Sequence, residues 1–104
     1  MITYPIVEAQ PLQAQELIVA GWFVLDVRTD AEWAEGRVPG STHMPLAKVV
    51  AGVGSRVVEP VLVVTADGGK GWRVAAYLKH QGIEAGNLVG GIFAWEAAGL
   101  PVER

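Results

Sequence analysis

The sequence predicts an α/β fold, with a mainly parallel sheet covered by helices on both faces. Three observations lead there. Strand signals alternate with helix signals along the whole chain, the pattern of βα units rather than of hairpins. Val61-Leu62-Val63-Val64 is uniformly aliphatic, as a strand buried on both faces must be. The 104 residues, 51% of them hydrophobic, suffice for one domain with a single modest core. The formal net charge is −3, with both signs interspersed, so neither nucleic acid nor an anionic membrane is suggested as a partner. No apolar run approaches the length of a bilayer span, and no basic-then-apolar leader opens the chain. Cytoplasm is the default location. The chain has no cysteine, which excludes disulfides, thiolate metal sites and cysteine nucleophiles together.

Taken in order, the first expected strand is Ile6-Val7. Gln10-Pro11 starts a helix, with proline in the first turn, where its missing N–H costs nothing. That helix runs through Ala20, and Gly21 suits its C-terminal cap. Trp22 to Val27 reads as a strand ending at Arg28, rich in β-preferring side chains. Thr29-Asp30-Ala31-Glu32 matches a capping box, a hydroxyl residue with glutamate three positions on. The short helix that follows runs to Glu35 and stops at Gly36. Val38-Pro39-Gly40 is a turn. Ser41 to Met44 suits a brief strand, and Leu46 to Ala51 a short helix loosened by Gly52 and Gly54. Asn87 to Val89 is expected as the last strand, Ile92 to Ala98 as the last helix, and Pro101 to Arg104 as a tail.

Between them lies the segment that most invites a functional reading, Val61 to Gln81. It reads as strand, glycine-rich loop and helix. Gly68, Gly69 and Gly71 allow a sharp turn. The free N–H groups at the start of the helix point back into the loop, with about half a positive charge from the helix dipole behind them. Something negative or electron-rich is the expected occupant.

Four segments carry a resemblance to the rhodanese family. They are Asp26-Val27-Arg28 with Glu32-Trp33; Gly36-Arg37-Val38-Pro39-Gly40 running into Met44-Pro45; Val61 to Leu78; and Leu88-Val89-Gly90-Gly91-Ile92-Phe93-Ala94-Trp95. They stand in the family's order and span most of the chain. The resemblance implies a five-stranded, mostly parallel sheet flanked by helices, in a single domain over residues 1–104. It also implies an activity. Active members carry a sulfane sulfur, taken from a donor such as thiosulfate, on a cysteine that opens the loop. Loop amides at the helix N-terminus cradle the persulfide.

Aligned without insertion, Thr65 falls at the cysteine position. Ala66, Asp67, Gly68, Gly69 and Lys70 fill the loop, and Gly71 replaces a common serine. Thr65 cannot take over the chemistry. A favourable loop lowers a cysteine pKa from about 8.5 to roughly 3.5. An aliphatic hydroxyl starting near water's value of about 15.7 would remain protonated after the same shift, and oxygen forms no persulfide. A hydroxyl nucleophile also needs a base, for which Asp67 is the nearest candidate. Asp67 has two readings: a carboxylate that accepts loop N–H bonds and closes the cradle from within, or a solvated turn residue.

The candidate anion-binding set is therefore Thr65, Ala66, Asp67, Gly68, Gly69, Lys70, Gly71 and Arg28, with no catalytic residue. Arg28 stands at the C-terminal end of a strand, where open α/β sheets bind ligands; pocket contact and structural pairing are both open to it. Arg73 is expected to pair with Glu32 or Asp26, with contact to a bound anion as its other role, and Trp72 to pack on a neighbouring loop, with a pocket wall or partner anchor as its other role. His43 and His80 have no second ligand at helical spacing, so no metal site is expected, and no cofactor. The trio Trp22, Trp33 and Trp95 suits core or half-core positions. The expected function is a non-catalytic rhodanese-like module that binds a protein partner or a small anion. The alternative is a sulfurtransferase whose natural cysteine is replaced in this chain or supplied by a partner. A phosphatase-like hydrolase is a weaker third reading, because that chemistry also relies on the missing cysteine.

Overall fold

A computed structural model describes residues 6–52 and 57–104. Five strands form one all-parallel sheet: β1 (Val7–Ala9), β2 (Phe23–Asp26), β3 (Thr42–His43), β4 (Val61–Val64) and β5 (Ala85–Leu88), in the order β1-β5-β4-β2-β3. The helices are α1 (Pro11–Val19), α2 (Asp30–Glu35), α3 (Leu46–Gly52), α4 (Gly71–His80) and α5 (Gly91–Ala97). No helix among the described residues is long and apolar enough to cross a membrane.

Strand β4 sits in the middle, and its sequence shows why. Val61 and Val63 face one core with Leu25, Val49, Val74 and Leu78, while Leu62 and Val64 face the other with Val24, Leu88, Ile92 and Trp95. All four β4 side chains are fully buried. Alternate residues of one strand thus serve two layers, α3 and α4 on one side and α1 and α5 on the other.

The helix ends follow their local chemistry. Gly21 takes a φ of +106°. The Gly21 amide donates to the Ile18 carbonyl and the Trp22 amide to that of Leu17, both at 3.0 Å, a Schellman stop that turns the chain into β2. The capping box of α2 forms reciprocally: the Glu32 amide donates to Thr29 Oγ1 (3.2 Å), and the Thr29 amide to Glu32 Oε1 (3.0 Å). Those bonds, with Arg28 nearby, hold the Glu32 carboxyl below its usual range. Its contribution is therefore present above the ordinary glutamate pKa and is lost as pH falls through the lowered value. Thr29→Ala is expected to cost about 1 kcal/mol. Thermal melts of the two proteins should converge in acid; a difference independent of pH would contradict the assignment.

Several expectations need correction. Strand β1 begins at Val7 and extends to Ala9, because its carbonyls and amides pair with β5 rather than ending at Val7. Strand β5 begins at Ala85, two residues earlier than expected, and stops at Leu88. Ala, Gly and Asn are weak strand formers, but this strand lies between two neighbours that force it to extend. Strands β2 and β3 are each one residue shorter at both ends than the residue types suggested. The tail is not free: Arg37 and Glu103 exchange backbone bonds at 2.9 and 2.8 Å, and Trp95 Nε1 donates to the Pro101 carbonyl at 2.7 Å. Gly54 lies outside the described residues.

Candidate functional site

The loop between β4 and α4 is positioned by contacts that leave no room for side chains. At Gly91 (φ +59°), a Cβ would lie 2.3 Å from the Thr65 carbonyl oxygen and 2.7 Å from the Ala66 carbonyl carbon and oxygen. At Gly68, one would lie 2.4 Å from the Gly90 nitrogen. With both absent, the first turn of α5 closes on the loop: the Ile92 amide donates to the Thr65 carbonyl (2.9 Å) and the Phe93 amide to the Ala66 carbonyl (3.1 Å). The loop is thus strapped to the helix that follows β5.

Inside the loop, two side chains take up amides. Thr65 Oγ1 accepts from the Gly68 amide at 2.9 Å, and Asp67 Oδ1 accepts from the Gly69 amide at 2.9 Å. The amides of Ala66, Asp67 and Lys70 have no acceptor among the described residues. The Asp67 side chain therefore engages the cradle while leaving part of its donor set open.

A cavity of about 540 Å³ opens beside the loop. Of the candidate set, Arg28, Thr65, Ala66, Asp67, Gly69 and Lys70 line it, together with Thr29, Glu32, Leu46, Val27 and Val74. Gly68 and Gly71 do not; they serve packing, Gly68 against Gly90 and Gly71 against Asn87. A Cβ at Gly71 would meet Asn87 Oδ1 at 1.8 Å. Asn87 is buried, its Nδ2 donates to Glu8 Oε2 at 2.9 Å, and its Oδ1 has no partner. Asn87 is the site-adjacent residue that sequence reasoning missed, since only its strand position was legible. A second cavity, of about 600 Å³, lies among Val7, Glu59, Ile83 and Ala85 at the opposite edge of the sheet, away from the loop.

Arg28 is turned inward. Its Nη2 lies 2.8 Å from Asp26 Oδ2, and its Nε 3.0 Å from both Asp26 oxygens. Its remaining donors go to the carbonyls of Glu32 (3.2 Å) and Gly36 (2.6 Å). Both ionic side chains are buried. Arg28 thus joins β2 to α2 and forms one wall of the cavity.

This arrangement overturns the pairing expected for Arg73. Asp26 is occupied by Arg28, which the bend after β2 brings back so that its amide and guanidinium both donate to the Asp26 carboxylate, and Glu32 by Thr29. The Arg73 guanidinium instead lies 5.5 Å from the Trp72 ring centroid. Trp72 is 47% exposed rather than packed under a loop. His43 is a structural hydrogen-bonding residue: Nε2 lies 2.8 Å from the Arg28 carbonyl, and the ring stacks on Trp33 at 4.7 Å. His80 ends α4, where a basic residue is favourable. Trp95 is buried, and Trp22 and Trp33 are half-buried. Among the described residues, no group of three potential ligands could hold a metal ion.

Comparison with known proteins identifies the family and the fold. The family model described as "Rhodanese-like domain" matches residues 9–98. A sulfurtransferase of Allochromatium vinosum is 32% identical over 81 residues, covering 76% of each chain. The thiosulfate sulfurtransferase GlpE of Ectopseudomonas mendocina is 34% identical over 89 residues, covering 84% of this chain and 82% of that protein. The crystal structure of a rhodanese-related protein from Thermoplasma volcanium superposes with a TM-score of 0.84 at 24% identity, over 93% of this chain and 97% of that one. That last likeness concerns the fold alone.

Proposed function

The chain belongs to the rhodanese-like domain family, and from that premise we propose that it is a non-catalytic member whose loop serves binding. The observation that carries the proposal is the residue that opens the loop. It is Thr65, and the chain has no cysteine anywhere to replace it. Its hydroxyl is engaged by the Gly68 amide, a bond that orients the oxygen without making it nucleophilic. The ligand of the loop is a small anion or an anionic group on a partner protein, held by the open amides and by Lys70. The expected location is the cytoplasm, and no cofactor is required.

The test is sulfur transfer from thiosulfate to cyanide, read as thiocyanate. The purified protein is expected to give background turnover. Thr65→Cys is expected to raise turnover well above background, because the Gly68 amide would then face a thiolate. Activity in the unaltered protein, surviving removal of contaminants, would sink the proposal. An inactive Thr65→Cys protein would mean that the cradle had changed along with the nucleophile. The reading in which the natural chain carries cysteine at this position is decided by the genomic sequence.

Asp67 supplies a second expected outcome. Its carboxylate competes with an incoming anion, so Asp67→Ser should increase the rise in melting temperature produced by sulfate, through tighter binding to the folded state. The absence of any sulfate-dependent shift in that variant would argue for a closed loop.

A further inference from the structure

The parallel sheet starts its helices at one common edge, the edge that carries the loop. On the α3–α4 side of that edge, the first turns hold an unusual set of side chains. Leu46 opens α3 and is 44% exposed, although it lines the loop cavity. Trp72, second in α4, is 47% exposed. Beside them stand Lys48, third in α3, Lys70, the N-cap of α4, and Arg73, third in α4. All three cations are exposed, and none forms an ion pair with a described carboxylate. By contrast, Arg28, Arg37 and Arg104 are each paired.

Electrostatics within the chain does not account for this placement. The N-terminus of a helix is its positive end and disfavours cations. Three of them are kept there without a neutralising partner, in a chain whose formal net charge is −3. Asp67 and Glu32 line the same cavity as Lys70 but form no ion pair with it; Asp67 bonds the Gly69 amide and keeps its charge. The two helices are in contact, since Tyr77 Oη lies 3.4 Å from the Val50 carbonyl, and Leu46 and Lys70 line the same cavity. Leu46 and Lys70 thus border one cavity, and Lys48, Trp72 and Arg73 stand on the same first turns of α3 and α4. Arg73 already covers one face of the Trp72 ring, an arrangement that keeps a large aromatic anchor ordered in water.

We propose that this surface docks an acidic segment of a partner protein, in which carboxylates meet Lys48, Lys70 and Arg73 and an apolar side chain settles between Leu46 and Trp72. This deepens the binding role proposed above and rests on it. Charge complementarity selects the partner class: an exposed apolar pair ringed by unneutralised cations attracts anionic, not cationic, polypeptide.

A random peptide library displayed on phage, selected against the intact protein, tests it. The expected result is enrichment of peptides that place Asp or Glu beside Leu, Phe or Trp. Their synthetic versions should bind about tenfold more weakly to Lys70→Glu and to Lys48→Glu. With Trp72→Ala the loss should be roughly thirtyfold. Val19→Ala, an exposed apolar site far from this edge, should bind normally. All of these side chains are exposed, and circular dichroism checks that each variant folds. No enrichment, enrichment without acidic residues, or binding indifferent to Lys70 and Trp72 would overturn the proposal. So would concentration-dependent self-association or oligonucleotide binding through the same residues. Sulfate stabilisation in the absence of peptide binding would remove this inference and leave the loop's binding role standing; thiocyanate turnover by the unaltered protein would remove the non-catalytic reading instead.

Discussion

Asp26→Ala is expected to destabilise the domain by about 3–5 kcal/mol, the cost of leaving one member of a buried ion pair uncompensated. The geometry puts this site at the upper end of such effects. Asp26 is fully buried and accepts from the Arg28 backbone amide (2.9 Å) as well as from its guanidinium. Removing the carboxylate strands a cation that is 7% exposed, bonded only to the carbonyls of Glu32 and Gly36, with the Glu32 carboxylate acting on it through space. Those carbonyls solvate the charge but do not neutralise it. A domain of this size has roughly 5–15 kcal/mol to lose, so urea unfolding should show a midpoint lowered by about 2 M, with little change in slope. A loss below about 1 kcal/mol would mean that Arg28 escapes to solvent, and that it is not a fixed wall of the cavity.

The second large effect is at Gly91. Replacement by alanine puts a β-carbon into a left-handed backbone, which costs about 1–2 kcal/mol by itself. Here it also drives that carbon into the Thr65 and Ala66 carbonyl groups, at 2.3 and 2.7 Å. These are backbone atoms and cannot swing aside, so overpacking adds roughly 1–3 kcal/mol. Gly99→Ala is the control, because Gly99 has a similar φ of +76° and open space around it; only the conformational part should appear there. Gly91→Ala should also speed hydrogen exchange at the Ile92 and Phe93 amides, which are bonded to the loop. Equal losses for the two variants would show that the loop yields without cost.

Much of this was legible in the residues, for identifiable reasons. Capping and C-terminal glycines are local chemistry, so Thr29, Glu32 and Gly21 could be read directly. Strand β4 was legible because burial on both faces leaves it no polar residue. What failed depended on partners distant in sequence. Ala85 and Gly86 extend because β1 and β4 hold them, and Gly86 is small because the Val7 carbonyl oxygen would stand 2.9 Å from a Cβ there. Arg73 is expected to pair with Glu32 or Asp26 because the family keeps these residues together. The nearer Arg28 had already claimed the Asp26 carboxylate, and only coordinates show which cation arrives. At the site, the glycine loop was legible as a turn. Its attachment to Gly91 and the orphaned oxygen of Asn87 were not, since both arise across the sheet edge.

The order of the sheet has a consequence for how the chain is made. Strand β1 is the first of the five strands to leave the ribosome, and among the described residues it pairs with β5 alone. The side-chain bond between Glu8 and Asn87 spans 79 positions. Until synthesis has passed Leu88, the first strand has no ladder to join, and the central β4 lacks its second flank. The nascent domain therefore waits, with Val61–Val64 exposed as an aggregation-prone edge. Folding must follow completion of β5 and is slowed by the long loop that this closure demands.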